Sequence, residues 1–226
     1  TVIWTGSEMI VFGGVGADPA TMAKRYRPTT DTWTDATTIN APGGRDHHAA
    51  VWTGAEMIIW GGSIDEGDVR TGGRYNPATD TWRPTNIADS PPARMWPLGV
   101  WSGTEMIVWG GHVYLSNMDL NDGARYDPAT DSWAVTTLQG APTPRVTQAV
   151  WTGRELVVWG GGNDSSGGGY NPATNTWRPT SMINPPDWRC CGRWSTVWTG
   201  SQMIIWGSAL PTQKGNLYCA VPRISP

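Results

Sequence analysis

The chain has 226 residues, with 29 Gly, 18 Pro and 16 Trp against a single Phe, and only 15% of the residues are charged. Its net charge of −3 and the lack of any Lys/Arg cluster argue against a nucleic-acid or anionic-membrane surface. No apolar run approaches the roughly 18 to 20 residues needed to span a bilayer, and the Trp content argues against disorder, because those side chains supply a large apolar area to bury. The chain opens at Thr1 inside an apolar run, so we expect a signal peptide or more of the protein to have been removed upstream.

Taken in chain order, one motif returns five times. Residues 3–14 read Ile-Trp-Thr-Gly-Ser-Glu-Met-Ile-Val-Phe-Gly-Gly, and copies follow at 51–62, 100–111, 150–161 and 197–208, the last ending Gly207-Ser208. The marker Trp stands at 4, 52, 101, 151 and 198, in steps of 48, 49, 50 and 47 residues. A second motif has the same period: Tyr26 to Trp33, Tyr75 to Trp82, Tyr126 to Trp133 and Tyr170 to Trp177, with only Tyr218 kept in the fifth copy. Such a period is the mark of a repeat architecture.

Each repeat predicts four short strands. Runs such as 48–53 and 56–60 are joined by a Thr-Gly-X turn, where Gly supplies the positive φ of a tight hairpin. A strand near Arg74-Tyr75, an Asn-Pro-Ala-Thr-Asp turn and a strand through Trp82 make a second hairpin. Four antiparallel strands every 50 residues or so predict a propeller blade, whose two faces are buried only by stacking in a ring. We expect an all-β fold of five blades, at roughly 1–40, 41–89, 90–139, 140–187 and 188–226, with Val221 to Ile224 as a weak last strand. Two arrangements fit: a ring closed by five blades, or part of a larger ring.

Four hydrophobic residues followed by Gly-Gly, then Tyr and Trp seven positions apart, resembles the Kelch repeat, in four full copies and one partial one. The resemblance covers nearly the whole chain and implies a β-propeller, usually of six or seven blades. It leaves function open, because propellers serve as binding modules, subunits and enzymes.

The 1–2 and 3–4 turns are near-identical hairpins on one side of such a blade. The 2–3 loops (15–24, 63–73, 112–124, 162–169) and interblade loops (34–47, 83–95, 134–147, 178–195) differ and share the other side, where function concentrates. On that face Arg45, Arg94, Arg145 and Arg193 each precede a first strand. They serve either as donors to loop carbonyls or a neighbouring blade's carboxylate, or as a guanidinium ring for an anionic ligand. Asp46, His47 and His48 occur in one blade only, with His112 the only other His, which reads as structural or solvated histidine more readily than as a metal site. Trp96, Trp188 and Trp194 lie outside the repeated positions and suit a sugar ring or an apolar partner side chain, unless they pack loops over the propeller. No cofactor is called for, although the acidic loops Asp65 to Asp68 and Asn117 to Asp122 offer the oxygen ligands calcium takes.

The three cysteines, Cys190, Cys191 and Cys219, all fall in the last repeat. We expect Cys219 to be bonded to one of the adjacent pair, which implies an oxidising compartment, secreted or periplasmic. No phosphate loop, C-x-x-C or Gly-x-Ser-x-Gly elbow is present. The reading that results is a non-catalytic binding module or subunit for a protein partner or a glycan, acting through Arg45, His47, Arg94, Trp96, Arg145, Trp188, Arg193 and Trp194. The alternative is a Kelch-type enzyme on a small anionic or sugar substrate at the channel mouth.

Overall fold

The computed structural model describes residues 1–14, 16, 22–161, 166–181 and 195–206, and the backbone alone of 216–219. The first blade is β1 (Val2–Trp4), β2 (Met9–Phe12), β3 (Ala23–Arg27) and β4 (Thr32–Asp35). The second has β5 (Ala49–Trp52) and β6 (Met57–Trp60), a small inserted pair β7 (Ser63–Ile64) and β8 (Gly67–Asp68), then β9 (Gly72–Asn76) and β10 (Thr81–Pro84). The third repeats this plan with β11 (Leu98–Trp101), β12 (Met106–Trp109), the inserted β13 (His112–Val113) and β14 (Met118–Asp119), β15 (Gly123–Asp127) and β16 (Ser132–Val135). The fourth is β17 (Gln148–Trp151), β18 (Leu156–Trp159), β19 (Gly167–Asn171) and β20 (Thr176–Pro179), and the fifth shows β21 (Ser195–Trp198), β22 (Gln202–Trp206) and β23 (Asn216–Cys219). Four blades are four-stranded antiparallel sheets and the fifth has three strands among the described residues. The expected last strand at Val221 to Ile224 lies outside them.

The turn chemistry closes each hairpin as its residues dictate. Thr53 Oγ1 accepts from the Ala55 and Glu56 amides at 3.2 and 2.8 Å, and Gly54 takes a φ of +98°. At the 3–4 turn, Asn76 Oδ1 caps the Ala78 amide at 2.9 Å, and the turn ends on Asp80 at φ +52°. Asp31, Asp131 and Asn175 repeat that left-handed position, which Asp and Asn tolerate better than branched residues.

Strand alternation explains why one blade cannot stand alone. Met57 and Ile59 of β6 pack with Ile10 and Phe12 of the blade before, while Ile58 and Trp60 pack with Met106, Val108, Tyr126 and Trp133 of the blade after. The same division recurs in β12, where Ile107 and Trp109 meet Leu156, Val158, Tyr170 and Trp177. The first three seams also carry a polar clamp. The Trp82 indole donates to Thr37 O at 2.9 Å, the Thr37 amide donates to Asp80 Oδ1 at 3.0 Å, and the Tyr75 hydroxyl donates to the same oxygen. Trp133, Asn86, Asp131 and Tyr126 repeat it at the next seam, and Trp177, Thr137, Asn175 and Tyr170 at the third. Innermost strands touch in the order β1, β5, β11, β17, β21. The outward faces of the first and fifth blades, by contrast, leave Val2, Trp4, Trp33, Val197 and Trp206 exposed.

Candidate functional site

Three arginines hold the interblade loops on the face of the variable connections. Arg45 donates from Nε to Gly43 O at 3.0 Å, from Nη1 to Gly61 O and Thr71 O at 3.2 and 2.8 Å, and from Nη2 to Thr71 Oγ1. Arg94 bonds Pro92 O and Gly110 O at 2.9 and 3.1 Å and grips both carboxylate oxygens of Asp122. Arg145 reaches Thr143 O, Gly160 O and Ser166 O. The backbone carbonyls of these arginines point the other way, accepting from the Gly14, Gly62 and Gly111 amides of the preceding blade. One residue therefore pins the first glycine of one blade and the second glycine of its neighbour.

The close approach of the interblade loops leaves little room for a side chain at several of these glycines. A Cβ on Gly62 would lie 2.3 Å from Asp46 O, and one on Gly161 would lie 2.1 Å from Val146 O, at φ of +94° and +79°. All three guanidinium groups are buried. Burial lowers the Arg45 guanidinium to about 10, which leaves it cationic at neutral pH. Of the two roles open to these arginines in the sequence, the structure realises the loop-carbonyl one, and none of the three faces outward as a ligand ring. Arg193, Trp188 and Trp194 lie outside the described residues, as do Cys190, Cys191 and the side chain of Cys219.

Two residues beyond two of the pins, the backbone turns left-handed and presents a side chain. His47 has φ +53° and Trp96 φ +52°. The Trp96 amide donates to His47 O at 2.8 Å, the two rings meet edge to face with centroids 4.7 Å apart, and the His112 ring lies 5.9 Å from Trp96. Each imidazole is oriented by a carboxylate: His47 Nδ1 lies 3.0 Å from Asp46 Oδ1, and His112 Nδ1 lies 2.8 Å from Asp119 Oδ1. Trp96 is 42% exposed. With His47, His48, Pro97, Thr147 and Gln148 it borders a cavity of about 280 Å³. His48 belongs to the frame: it is buried edge-on against Phe12, and burial pushes its imidazole down to about 3, so it is neutral at physiological pH.

The inserted hairpins were not foreseen from the sequence. In β13–β14 the tip carries Tyr114, Leu115 and Met118, all exposed, and the Tyr114 amide donates to Asp68 Oδ2 of the β7–β8 pair at 2.7 Å. Two-residue strands show no alternation to read, and the one signal available was apolar residues inside an otherwise polar loop. Of the five carboxylates in the two acidic loops, three are engaged by protein groups, Asp68 by Tyr114, Asp119 by His112 and Asp122 by Arg94. Among the described residues no group of three His, Cys, Asp or Glu converges as a metal site.

Glycine pins, Tyr/Trp seams and four-stranded sheets thus recur as one unit, and residues 1–161 match the family model described as the KLHDC2/KLHL20/DRC7 Kelch-repeats domain. The chain belongs to the Kelch-repeat family. The comparison with curated proteins gave no match. Kelch domains generally bind other proteins, and in this Kelch chain the two sides of the blades differ as such a role requires. The hairpin side repeats Glu–Arg pairs, Glu8–Arg25, Glu56–Arg74 and Glu105–Arg125 from the third strand, with Glu155–Arg178 taking its arginine from the fourth. The loop side changes residue by residue.

Proposed function

We propose that this Kelch domain is a non-catalytic binding module that holds a protein partner on the loop side of its second and third blades, with Trp96 at the centre of the contact. The observation that carries this reading is the exposed Trp96 ring, fixed between two carboxylate-oriented imidazoles, one of which, His112, begins the hairpin whose far end exposes Tyr114 and Leu115. A rigid, partly exposed aromatic held in place by its neighbours is what an interface hot spot requires, because little side-chain entropy is lost on contact. An enzyme on an anionic substrate is disfavoured, since the cations that such chemistry would use are buried among carbonyls. We further propose a secreted or periplasmic setting, in which Cys219 is bonded to Cys190 or Cys191 and a single free thiol remains.

A displayed library of linear peptides panned against the immobilised full chain tests the binding reading. Enriched peptides should lose tenfold or more in affinity against Trp96→Ala and against Leu115→Asp, with melting transitions within a few degrees of the parent. Equal binding to parent and variants, or binding abolished only by changes at Asn76 to Asp80, overturns it. Retention on a glycan array that depends on Trp96, with no peptide enriched, would transfer the site to a carbohydrate partner.

A further inference from the structure

The fourth strand is the outer edge of each four-stranded blade, and an edge presents main-chain groups that the blade itself does not use. The register says which groups these are. In the third blade β16 pairs with β15 as Asp127↔Ser132, Tyr126↔Trp133, Arg125↔Ala134 and Ala124↔Val135, and the Thr136 amide donates to Gly123 O. Antiparallel pairs alternate between those that exchange hydrogen bonds and those that do not, so Ser132 and Ala134 bond inward while Trp133 and Val135 turn N–H and C=O outward. The bonds from Ala36 to Ala23 O, Thr85 to Gly72 O and Thr180 to Gly167 O set the same phase in the first, second and fourth blades. Val135 therefore holds the place of Asp35, Pro84 and Pro179.

The other three edges are guarded at that place. Pro84 and Pro179 have no N–H to offer a further strand, and Asp35 sets a charge there, paired with Lys24. One residue earlier stand Arg83 and Arg178, against Ala134 in the third blade. The third blade has neither guard. Val135 keeps its amide and is 66% exposed, and Leu138 just beyond is 59% exposed. Residues 132–144 carry no charge, whereas the corresponding runs of the other three blades each contain Asp35, Arg83 or Arg178. Among the described residues no further strand pairs with β16 on its outer side.

We propose that the third blade takes up a fifth strand from another protein: an extended, uncharged segment pairs main chain to main chain with Trp133 and Val135 along the outer edge of β16. The outward N–H and C=O groups dictate an extended partner, since a helix spends its own main chain on itself. The exposed Val135 selects a β-branched or aromatic residue opposite it. A second copy of the chain is the poorer occupant, because two folded domains meeting along four residues bury far less than the roughly 1,000 Å² that a stable complex needs. A single added strand draws its affinity from main-chain bonds instead, which suits a transient contact. The edge lies on the rim of the blade and shares no residue with the loop-side site around Trp96, so it stands independently of that reading.

Panning displayed linear peptides on the full chain, with the Val135→Pro variant as counter-selecting bait, tests this. Val135→Pro installs the residue that the second and fourth blades already carry, so its melting transition should stay within a few degrees of the parent. The surviving peptides should bind the parent at least tenfold more tightly than Val135→Pro, and Trp96→Ala should leave their affinity unchanged. Methylating the peptide nitrogens one at a time should weaken binding at alternate residues only, as pairing along one edge of a strand requires. Val135→Asp, which installs the first blade's residue, should also cost at least tenfold and covers the case in which the proline variant fails to fold. The proposal is overturned if no peptide separates the parent from these variants, if binding is lost with Trp96→Ala, or if methylation acts at consecutive residues or at none. A parent that dimerises at micromolar concentration and is made monomeric by Val135→Pro overturns the choice of partner, the edge then being taken by a second copy.

Discussion

A buried guanidinium that serves two blades concentrates stability in one side chain. Arg94→Met would leave Asp122, Gly110 O and Pro92 O without the donor that now meets them. Leaving buried acceptors without their donor costs about 1–3 kcal/mol, whereas a change at the exposed Arg70 costs within about 0.5 kcal/mol. We expect urea midpoints to separate the two variants clearly, and an Arg94→Met midpoint equal to that of Arg70→Ala would show that the pin does not hold the loop. His48 sets a pH dependence. Its native imidazole titrates near 3 because of burial, against about 6.5 in the unfolded chain, so the unfolded state takes up a proton first as pH falls. Its contribution is complete above pH 6.5 and declines towards pH 3. The melting temperature should therefore fall by about 3 °C per pH unit across pH 6 to 4, and a neutral His48→Gln variant should flatten that slope.

At the level of the turn and the strand, two glycines with similar φ predict different outcomes. A Cβ at Gly54 meets nothing within 4 Å, while one at Gly62 strikes Asp46 O and the His48 backbone. Gly54→Ala should cost on the order of 1 kcal/mol in backbone strain, and Gly62→Ala several times more, read by thermal or urea unfolding. Equal costs would mean that conformation alone, not the approach of the pinned loop, selects glycine there. Sequence reading succeeded where a pattern repeats. The Thr-Gly-X turns, the Asn-Pro-Ala-Thr-Asp turns and β6, β12 and β18 were legible because alternation and turn chemistry agree in repeat after repeat. It could not assign Arg45, Arg94 and Arg145, since an arginine ahead of a strand looks the same whether its head meets a carbonyl or a ligand. Trp96 was legible as an aromatic outside the repeat, but the left-handed backbone and the flanking imidazoles that display it arise from contacts between loops distant in sequence.

For the molecule as a whole, contacts run from each blade to its neighbours and little further, so stability should grade along the arc in the manner of a one-dimensional array. The third blade is covered on both sides, whereas the first and fifth are each covered on one. Amide hydrogen exchange should accordingly be slowest in β12 and fastest, among second strands, in β2 and β22. Uniform protection across the five second strands would indicate one cooperative unit and contradict the graded picture.

The pinned loops also separate the task of holding from the task of reading. Arg45-Asp46-His47, Arg94-Met95-Trp96 and Arg145-Val146-Thr147 share an anchor and differ at the third residue, an imidazole, an indole and a hydroxyl in turn. At the first two, anchor and glycines set the backbone and the third side chain can be exchanged with little retuning of the blades around it, whereas Thr147 is buried and tied to the fourth blade by its bond to Trp159 O. A lineage built this way can change what it recognises one socket at a time. An engineer could do the same by exchanging the residue two places after an anchoring arginine and leaving every strand alone.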